Sequence, residues 1–206
     1  MLEKIYHLGH ASIKIIKNFT IYIDPFNIKE SSYDSDFIFC THSHFDHLSI
    51  KDIKKILKPS SVLIVPEESE DKVSELQIKI LTVEPGKQYS IGSLLFSTTY
   101  AYNIGKQFHP KEKKWVGYII QIDNTRYYIA GDTDSVPEIQ NLNVDVAFLP
   151  VGGTYTMNWK EAAILANKLK PKYAIPIHFG DVVGSISDAN SFIAELKSPI
   201  EGKILI

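Results

Sequence analysis

The stretch FIFCTHSHFDHLSI, residues 37–50, decides the fold because it joins a strand to a group of metal-ligand side chains. Its first four residues are apolar and predict a short buried strand. Directly afterwards come His42, His44, Asp46 and His47. Imidazole and carboxylate groups bind divalent metals such as zinc, and this spacing lets the first two histidines share one ion while Asp46 and His47 turn to a second. Three of the chain's seven histidines fall in this loop, which favours a metal site over a polar surface loop.

The segments around this loop alternate between strand and helix signals. Short β-branched or aromatic runs between turn residues predict strands at 11–16, 19–24, 36–41, 62–65, 78–83, 94–102, 116–122, 126–132, 144–150 and 173–178, with a hairpin turn at Asp123-Asn124. Helical spacing predicts a helix capped by Ser49, a second with Asn158 as its N-cap and Glu161 three residues on, and a last helix that begins at Ser187.

This order of elements predicts an α/β protein with two mixed sheets sandwiched between helices. The length of 206 residues fits a single domain over residues 1–206. Polar candidates lie where strands end: the histidine loop, Asp132 after YYIAG, and His178 at the end of YAIPIH. Such positions commonly carry function because the scaffold behind them is rigid. Asp132 alone is also compatible with an ordinary turn, and His178 with a satisfied core histidine.

Composition excludes several classes of protein. Lys and Arg number 22 against 24 for Asp and Glu, and Arg126 is the only arginine, so the basic excess of a nucleic-acid binder is missing. No run approaches the ~18 apolar residues of a membrane span, and MLEKIYHLGH lacks the apolar core of a signal peptide, so we expect a cytoplasmic protein. The single cysteine, Cys40, is expected to be a small buried apolar residue.

THSHFDH at 41–47, with IDP before it, GDTD after it and a late strand-end histidine, resembles the metallo-β-lactamase fold superfamily of metal-dependent hydrolases. GHAS at 9–12, IDPF at 23–26, Leu48-Ser49 after the motif and LPVGGTYTM at 149–157 resemble, more narrowly, the branch of ascorbate-6-phosphate lactonase-like and N-acylphosphatidylethanolamine phospholipase D-like proteins. The resemblance covers nearly the whole chain. It implies a four-layer αββα sandwich and a site for two metal ions.

The resemblance also implies a role for individual residues. His42 and His44 would bind the first ion, Asp46 and His47 the second, with Asp132 bridging the two and His178 completing the second. Asp24, in the IDP segment, would orient a ligand histidine from behind.

Three further residues are candidates to line the site. His10 in GHAS either lines it or forms a structural turn, and the sequence favours neither interpretation. Thr154 and Tyr155 belong either to a loop that lines the pocket, which we favour slightly, or to a flexible glycine turn before the helix capped by Asn158.

The chain departs from the superfamily pattern at the third histidine of the first metal site. Asn103 occupies that position in STTYAYNIGKQFHPK, and His109 follows six residues later. Either His109 substitutes from a rearranged loop, or the first ion has a more open site. We expect His109 to complete the site, because imidazole is the better ligand and Gly105 lets the chain fold back. A surface histidine in a charged loop is the alternative.

The leading functional hypothesis is a hydrolase in which a metal-bound hydroxide attacks an ester, lactone or phosphodiester of a small substrate, with Asp46 positioning the nucleophile. An anionic substrate is compatible with the sequence. Two divalent ions are expected, with zinc favoured and Mn, Fe, Co or Ni compatible with the same ligands. A nuclease of the same superfamily and a non-catalytic metal-binding module are the alternatives. A homo-oligomer is compatible with the sequence.

Overall fold

The computed structural model describes residues 1–205, which form thirteen strands and four α-helices. The strands of the first sheet are β1 Ile5–Gly9, β2 Ser12–Ile16, β3 Thr20–Ile23, β4 Phe37–Phe39, β5 Val62–Pro66 and β6 Lys79–Val83. Those of the second are β7 Gln88–Ile91, β8 Leu94–Tyr100, β9 Val116–Ile122, β10 Thr125–Ile129, β11 Val146–Pro150, β12 Tyr173–Ile177 and β13 Glu201–Gly202. The helices are α1 Ile50–Ile56, α2 Glu70–Val73, α3 Trp159–Leu169 and α4 Ile186–Ala194.

Both sheets are mixed, as the sequence predicted. The first has the order β1-β2-β3-β4-β5-β6, antiparallel from β1 to β3 and parallel from β3 to β6. The second has the order β13-β12-β11-β10-β9-β8-β7, parallel from β10 to β13 and antiparallel from β7 to β10. Because the carboxyl ends of parallel strands lie at the same edge of a sheet, residues that follow β3 and β4, or β10 and β12, are brought together.

The sheets and helices stack as four layers. Side chains alternate across each strand, so that Phe39 of β4 and Phe148 of β11 lie in the apolar core between the sheets. Ile38 points the other way and belongs to the core beneath α1 and α2, and Leu149 belongs to the core beneath α3 and α4. This arrangement confirms the predicted αββα sandwich.

Local sequence signals account for the helix ends and for one hairpin. The Ser49 side chain accepts a hydrogen bond from the Asp52 backbone N–H at the start of α1, and Asn158 forms a capping box with Glu161 at the start of α3. Asp123 and Asn124 both have positive φ, 48° and 61°, as the predicted two-residue hairpin requires.

The predicted start of the last helix was wrong. The helix begins at Ile186, because Ser185 is the N-cap and forms a capping box with Asp188, three residues later. Ser187 therefore lies inside the first turn. Within residues 1–205, no helix is both long enough and apolar enough to cross a membrane.

Candidate metal centre

The histidine and aspartate candidates converge at one end of the two sheets. The loop with His42 to His47 follows β4, Asp132 follows β10 and His178 follows β12 directly. His10 reaches the same place from the turn after β1, where it forms an isolated bridge with Phe179. Elements far apart in sequence thus supply one buried cluster.

Three histidines form what we call the outer group: His42, His44 and His109. Their ligand nitrogens lie within 4.8 Å of one another, and His42 Nε2 is 3.0 Å from His44 Nδ1. His44 is half-buried, whereas His42 and His109 are buried.

Asn103 supports His109 instead of replacing it in the outer group. The Asn103 Oδ1 accepts hydrogen bonds from the Nδ1 of His109, at 3.0 Å, and from its backbone N–H, at 3.1 Å. The Asn103 Nδ2 donates to the Tyr155 carbonyl at 2.9 Å, which fixes the orientation of the amide. Nδ1 of His109 is therefore the protonated nitrogen, and Nε2 is free to act as a ligand.

Four residues form the inner group: His10, Asp46, His47 and His178, all buried and with ligand atoms within 4.8 Å of one another. His47 Nδ1 lies 2.7 Å from Oδ2 of Asp24, a carboxylate with no exposed surface. His10 Nε2 lies 3.0 Å from Oδ2 of Asp46. A carboxylate behind a ligand histidine fixes its tautomer and raises its basicity.

Asp132 lies between the two groups. Its Oδ2 is 3.2 Å from His109 Nε2 and 3.0 Å from His178 Nε2, and its Oδ1 is 3.4 Å from His47 Nε2. The chain reaches this position through Gly131, whose φ is 66° and where a Cβ would lie 3.0 Å from the Thr41 Cβ.

Buried atoms without hydrogen-bond partners are concentrated in this cluster. Of nine such side-chain nitrogens and oxygens in residues 1–205, six belong to it: His10 Nδ1, His47 Nε2, His109 Nε2, Asp132 Oδ1, and both ring nitrogens of His178. The contact of 3.0 Å between His178 Nε2 and Asp132 Oδ2 does not have the angles of a hydrogen bond. Buried polar atoms without partners are rare and costly. Divalent ions would satisfy four of these six atoms, namely His47 Nε2, His109 Nε2, Asp132 Oδ1 and one ring nitrogen of His178, so the residues fit a metal centre.

Burial and neighbouring charges set the protonation of the cluster. Burial opposes ionisation of Asp132, but the imidazoles of His178 and His47 outweigh it and hold its pKa well below the usual range. Burial lowers the pKa of His42 well below its ordinary value, and His47 adds to the effect. Burial also opposes a charge on His47, yet the carboxylates of Asp132 and Asp24 raise its pKa to about 9. Metal binding would displace the proton of His47.

Three residues of the site have left-handed backbone conformations: His10 with φ 48°, Asp24 with φ 45° and His178 with φ 60°. Such conformations cost about 1–3 kcal/mol for residues other than glycine and persist only where the surroundings impose them. Here the backbone N–H of His178 donates to the His10 carbonyl at 2.7 Å, which locks the two turns together.

A cavity of about 230 Å³ opens onto the cluster. It is lined by His44, Phe45, Asp46, Phe108, His109, Asp132, Tyr155 and Val182. The structure places Tyr155 in the wall of the cavity. Thr154, predicted to line the pocket, is exposed and outside the lining; it lies in a turn in which its backbone N–H donates to the Gly152 carbonyl.

Two supporting residues were not predicted. Thr41 Oγ1 donates to Asp24 Oδ2 at 2.8 Å and lies 3.0 Å from His42 Nδ1, so it links the two groups from behind. Its position directly before His42 in the sequence could have indicated this role.

Trp115 packs its ring against His42, His44 and His109, with centroid distances of 4.9, 4.8 and 5.5 Å. No local sequence pattern indicates that Trp115 belongs to the site.

Comparison with known proteins shows which family the chain belongs to. Residues 4–178 match the family model of the beta-lactamase superfamily domain. A UPF0173 metal-dependent hydrolase of Listeria welshimeri is 32% identical over 229 residues, which cover 98% of this chain and 96% of the relative. The chain belongs to the beta-lactamase superfamily and, within it, to the UPF0173 family of metal-dependent hydrolases. A UPF0173 metal-dependent hydrolase of Symbiobacterium thermophilum is 28% identical over 94% of this chain and 92% of its own length.

Solved structures share the fold of this UPF0173 protein. A candidate metal-dependent hydrolase from Parabacteroides distasonis has a TM-score of 0.83 and 32% identity, and the match covers 98% of this chain and 91% of that one. Igni18, a metallo hydrolase from Ignicoccus hospitalis, has a TM-score of 0.81 at 21% identity over 98% of this chain and 94% of its own. The second likeness shows the fold alone.

Proposed function

We propose that this UPF0173 protein hydrolyses an ester, lactone or phosphodiester bond of a small substrate at a pair of divalent metal ions. The observation that carries the proposal is the buried cluster of nitrogens and oxygens without hydrogen-bond partners, which lies at the floor of a cavity open to solvent. A lone buried histidine is commonly a core residue, but a cluster that lacks partners calls for a cation.

Each group of the cluster would hold one ion. His42, His44 and His109 supply three nitrogens for the first, while Asp46, His47 and His178 supply the ligands of the second. Asp132, within 3.2 Å of a histidine from each group, would bridge them. Bound divalent ions lower the pKa of water and stabilise negative charge on the group under attack. We favour zinc, and the same donors accept Mn, Fe, Co or Ni.

The chain's own residues orient the reactants. Asp46 lines the cavity, and one of its oxygens is held by His10 at 3.0 Å, so the carboxylate is fixed where a substrate would enter. In this position Asp46 accepts a hydrogen bond from the attacking water and aligns it. His10 is a positioning residue that acts through Asp46.

The proposal includes a closer relationship of the chain to one branch of the superfamily. The GHAS, IDPF and LPVGGTYTM segments resemble the lactonase-like and phospholipase D-like branch, which makes lactones and phosphodiesters suitable test substrates beside simple esters.

The test combines metal analysis with a substrate panel. Protein purified without chelator should contain about two divalent ions per chain and hydrolyse at least one member of a panel of esters, lactones, thioesters and phosphodiesters. Chelator should remove the activity, and added metal should restore it. Asp46→Asn should lower turnover by roughly 100-fold with the fold intact by circular dichroism. Asp123→Asn, the same change in an exposed hairpin turn, is the matched control. Equal activity before and after chelation would refute the proposal.

A further inference from the structure

The mouth of the cavity is apolar. Phe45, Phe108, Tyr155 and Val182, which we call the apolar rim, line it, and three of them are unusually exposed for their type: Phe45 at 67%, Phe108 at 44% and Val182 at 39%. Phe108 and Tyr155 form an edge-to-face pair with ring centroids 4.7 Å apart. Phe45 pairs in the same way with Phe26 at 5.8 Å.

The rim is assembled from separate segments of the chain. Phe45 lies in the loop after β4, Phe108 in the loop between β8 and β9, Tyr155 after β11 and Val182 after β12. Single exposed apolar residues are common on protein surfaces, whereas apolar side chains that converge on one concave site indicate a ligand surface.

Cationic side chains are missing from this surface. Among the described residues that line the cavity, none is Lys or Arg. Lysines of the neighbouring loop are neutralised: Lys106 Nζ lies 2.5 Å from Asp134 Oδ1 and 2.7 Å from the Thr156 carbonyl, and Lys113 Nζ lies 3.1 Å from Glu68 Oε1. An anionic group placed against the rim would lose water without gaining a partner.

We infer that the group beside the scissile bond of the substrate is uncharged and apolar, either a short alkyl chain or one aromatic ring. The part of this inference that concerns a scissile bond rests on the proposed hydrolase function. In an ester, the water oxygen bonds to the acyl carbon, the bond from that carbon to the alcohol oxygen breaks, and a proton from water ends on the departing oxygen. The cavity of about 230 Å³ is smaller than the roughly 300–1,000 Å³ of pockets for drug-sized ligands, so it suits a group of this size. The sequence was compatible with an anionic substrate, whereas the apolar rim favours a neutral one.

Binding of stable amides tests the inference without requiring turnover. Butyranilide and its analogue with a carboxylate at the para position of the ring differ by one charged group, and their affinities for zinc-loaded protein can be compared by calorimetry. The neutral amide should bind at least about 10-fold more tightly, because the carboxylate would be desolvated against the rim.

Two variants of the apolar rim and one control variant show whether the rim itself determines the affinity for the two amides. Phe108→Ala should weaken binding of the neutral amide by roughly 10-fold at unchanged metal content, since it removes apolar contact area. Val182→Lys should shift the preference towards the carboxylated amide, because it supplies the missing cation. Leu95→Ala, at a side chain that is 50% exposed and outside the cavity lining, should change neither affinity.

Matched esters connect the binding result to the reaction. Phenyl butyrate should be hydrolysed with a kcat/KM at least about 10-fold above that of 4-carboxyphenyl butyrate. Equal or tighter binding of the carboxylated amide, or a preference that neither rim variant alters, would overturn the inference. If the neutral amide binds as expected but no ester, lactone or phosphodiester is hydrolysed, the proposed function fails while the apolar ligand surface is supported.

Discussion

The two groups of the metal centre are built differently. All four residues of the inner group are buried, and its His47 is held by the carboxylate of Asp24 at 2.7 Å. In the outer group His44 is half-buried, and His109 is held by the neutral amide of Asn103 at 3.0 Å. The inner group therefore has a charged support within the sheet edge, while the outer group has an uncharged support in a loop that faces the cavity.

This difference predicts that the two groups retain their metal ions to different degrees. A carboxylate partner makes an imidazole a stronger ligand than an amide partner does, and burial slows exchange with solvent. We expect the inner ion to be retained and the outer ion to be exchangeable and close to the substrate. If the supports do not matter, the two ions should instead behave alike.

The largest effect is expected at Asp132, the residue that both groups share. Asp132→Asn removes the charge between His109 and His178 and should lower turnover by roughly 1,000-fold, with loss of metal from both groups. Turnover and metal content by elemental analysis check this, with Asp123→Asn as control. A variant that retains both ions would show that Asp132 does not join the groups.

The next effect in size concerns the outer group alone. His109→Ala should remove about one ion per chain and lower turnover by roughly 100-fold, while the inner ion stays bound. Trp115 packs against the outer histidines, so the quenching of its fluorescence by added Co²⁺ should decrease as well. Full metal occupancy in this variant would remove His109 from the ligand set.

Much of the fold could be predicted because β-branched and aromatic runs mark most strands. β1 could not be, since Tyr6 and Leu8, on its solvent side, are 41% and 36% exposed and apolar, which hides the alternation. β7, with the sequence QYSI, was also missed, because its two apolar residues are separated by a serine and do not form a continuous β-branched or aromatic run.

The identities of the site residues could be predicted more fully than their arrangement. The histidine loop is local, so sequence spacing shows it. The position of His109 depends on a closed loop, in which the Asn103 N–H donates to the His109 carbonyl at 2.8 Å, and no spacing rule contains that contact. The apolar rim depends on tertiary convergence in the same way, because Phe45 and Phe108 look like ordinary loop residues in sequence. The roles of the individual ligands stay predictions.

A smaller effect should separate the two supports directly. Asp24→Asn keeps the size of the side chain but removes its charge, and should weaken metal binding at the inner group by roughly 100-fold. Asn103→Ala removes a neutral partner and should weaken the outer group by less, about 10-fold. Competition with a chromophoric chelator gives both affinities. An equal loss in the two variants would contradict the distinction between charged and neutral supports.

The smallest effect on the metal centre is expected at Asp52, which anchors the segment behind the inner group. Its carboxylate accepts hydrogen bonds from the backbone N–H groups of Asn27 and Ile28, at 3.0 and 3.1 Å, just after Asp24 in the chain. Asp52→Asn should lower the free energy of unfolding at pH 7 by about 1–3 kcal/mol and leave both ions bound.

The pH dependence of that loss is fixed by the pKa of Asp52. Burial raises this pKa, but hydrogen bonds from Ser49 and Lys55 outweigh burial and lower it below the ordinary value. Since the pKa is lower in the folded state, the stabilisation is complete above the ordinary pKa of about 4 and is lost as the pH falls through the folded-state value. The difference in unfolding free energy between wild type and Asp52→Asn should therefore shrink below about pH 4, measured by urea titration of chelator-treated protein. Asp71→Asn, on the exposed face of α2, should show no such trend. A constant difference across this range would mean that Asp52 acts through packing and not through its charge.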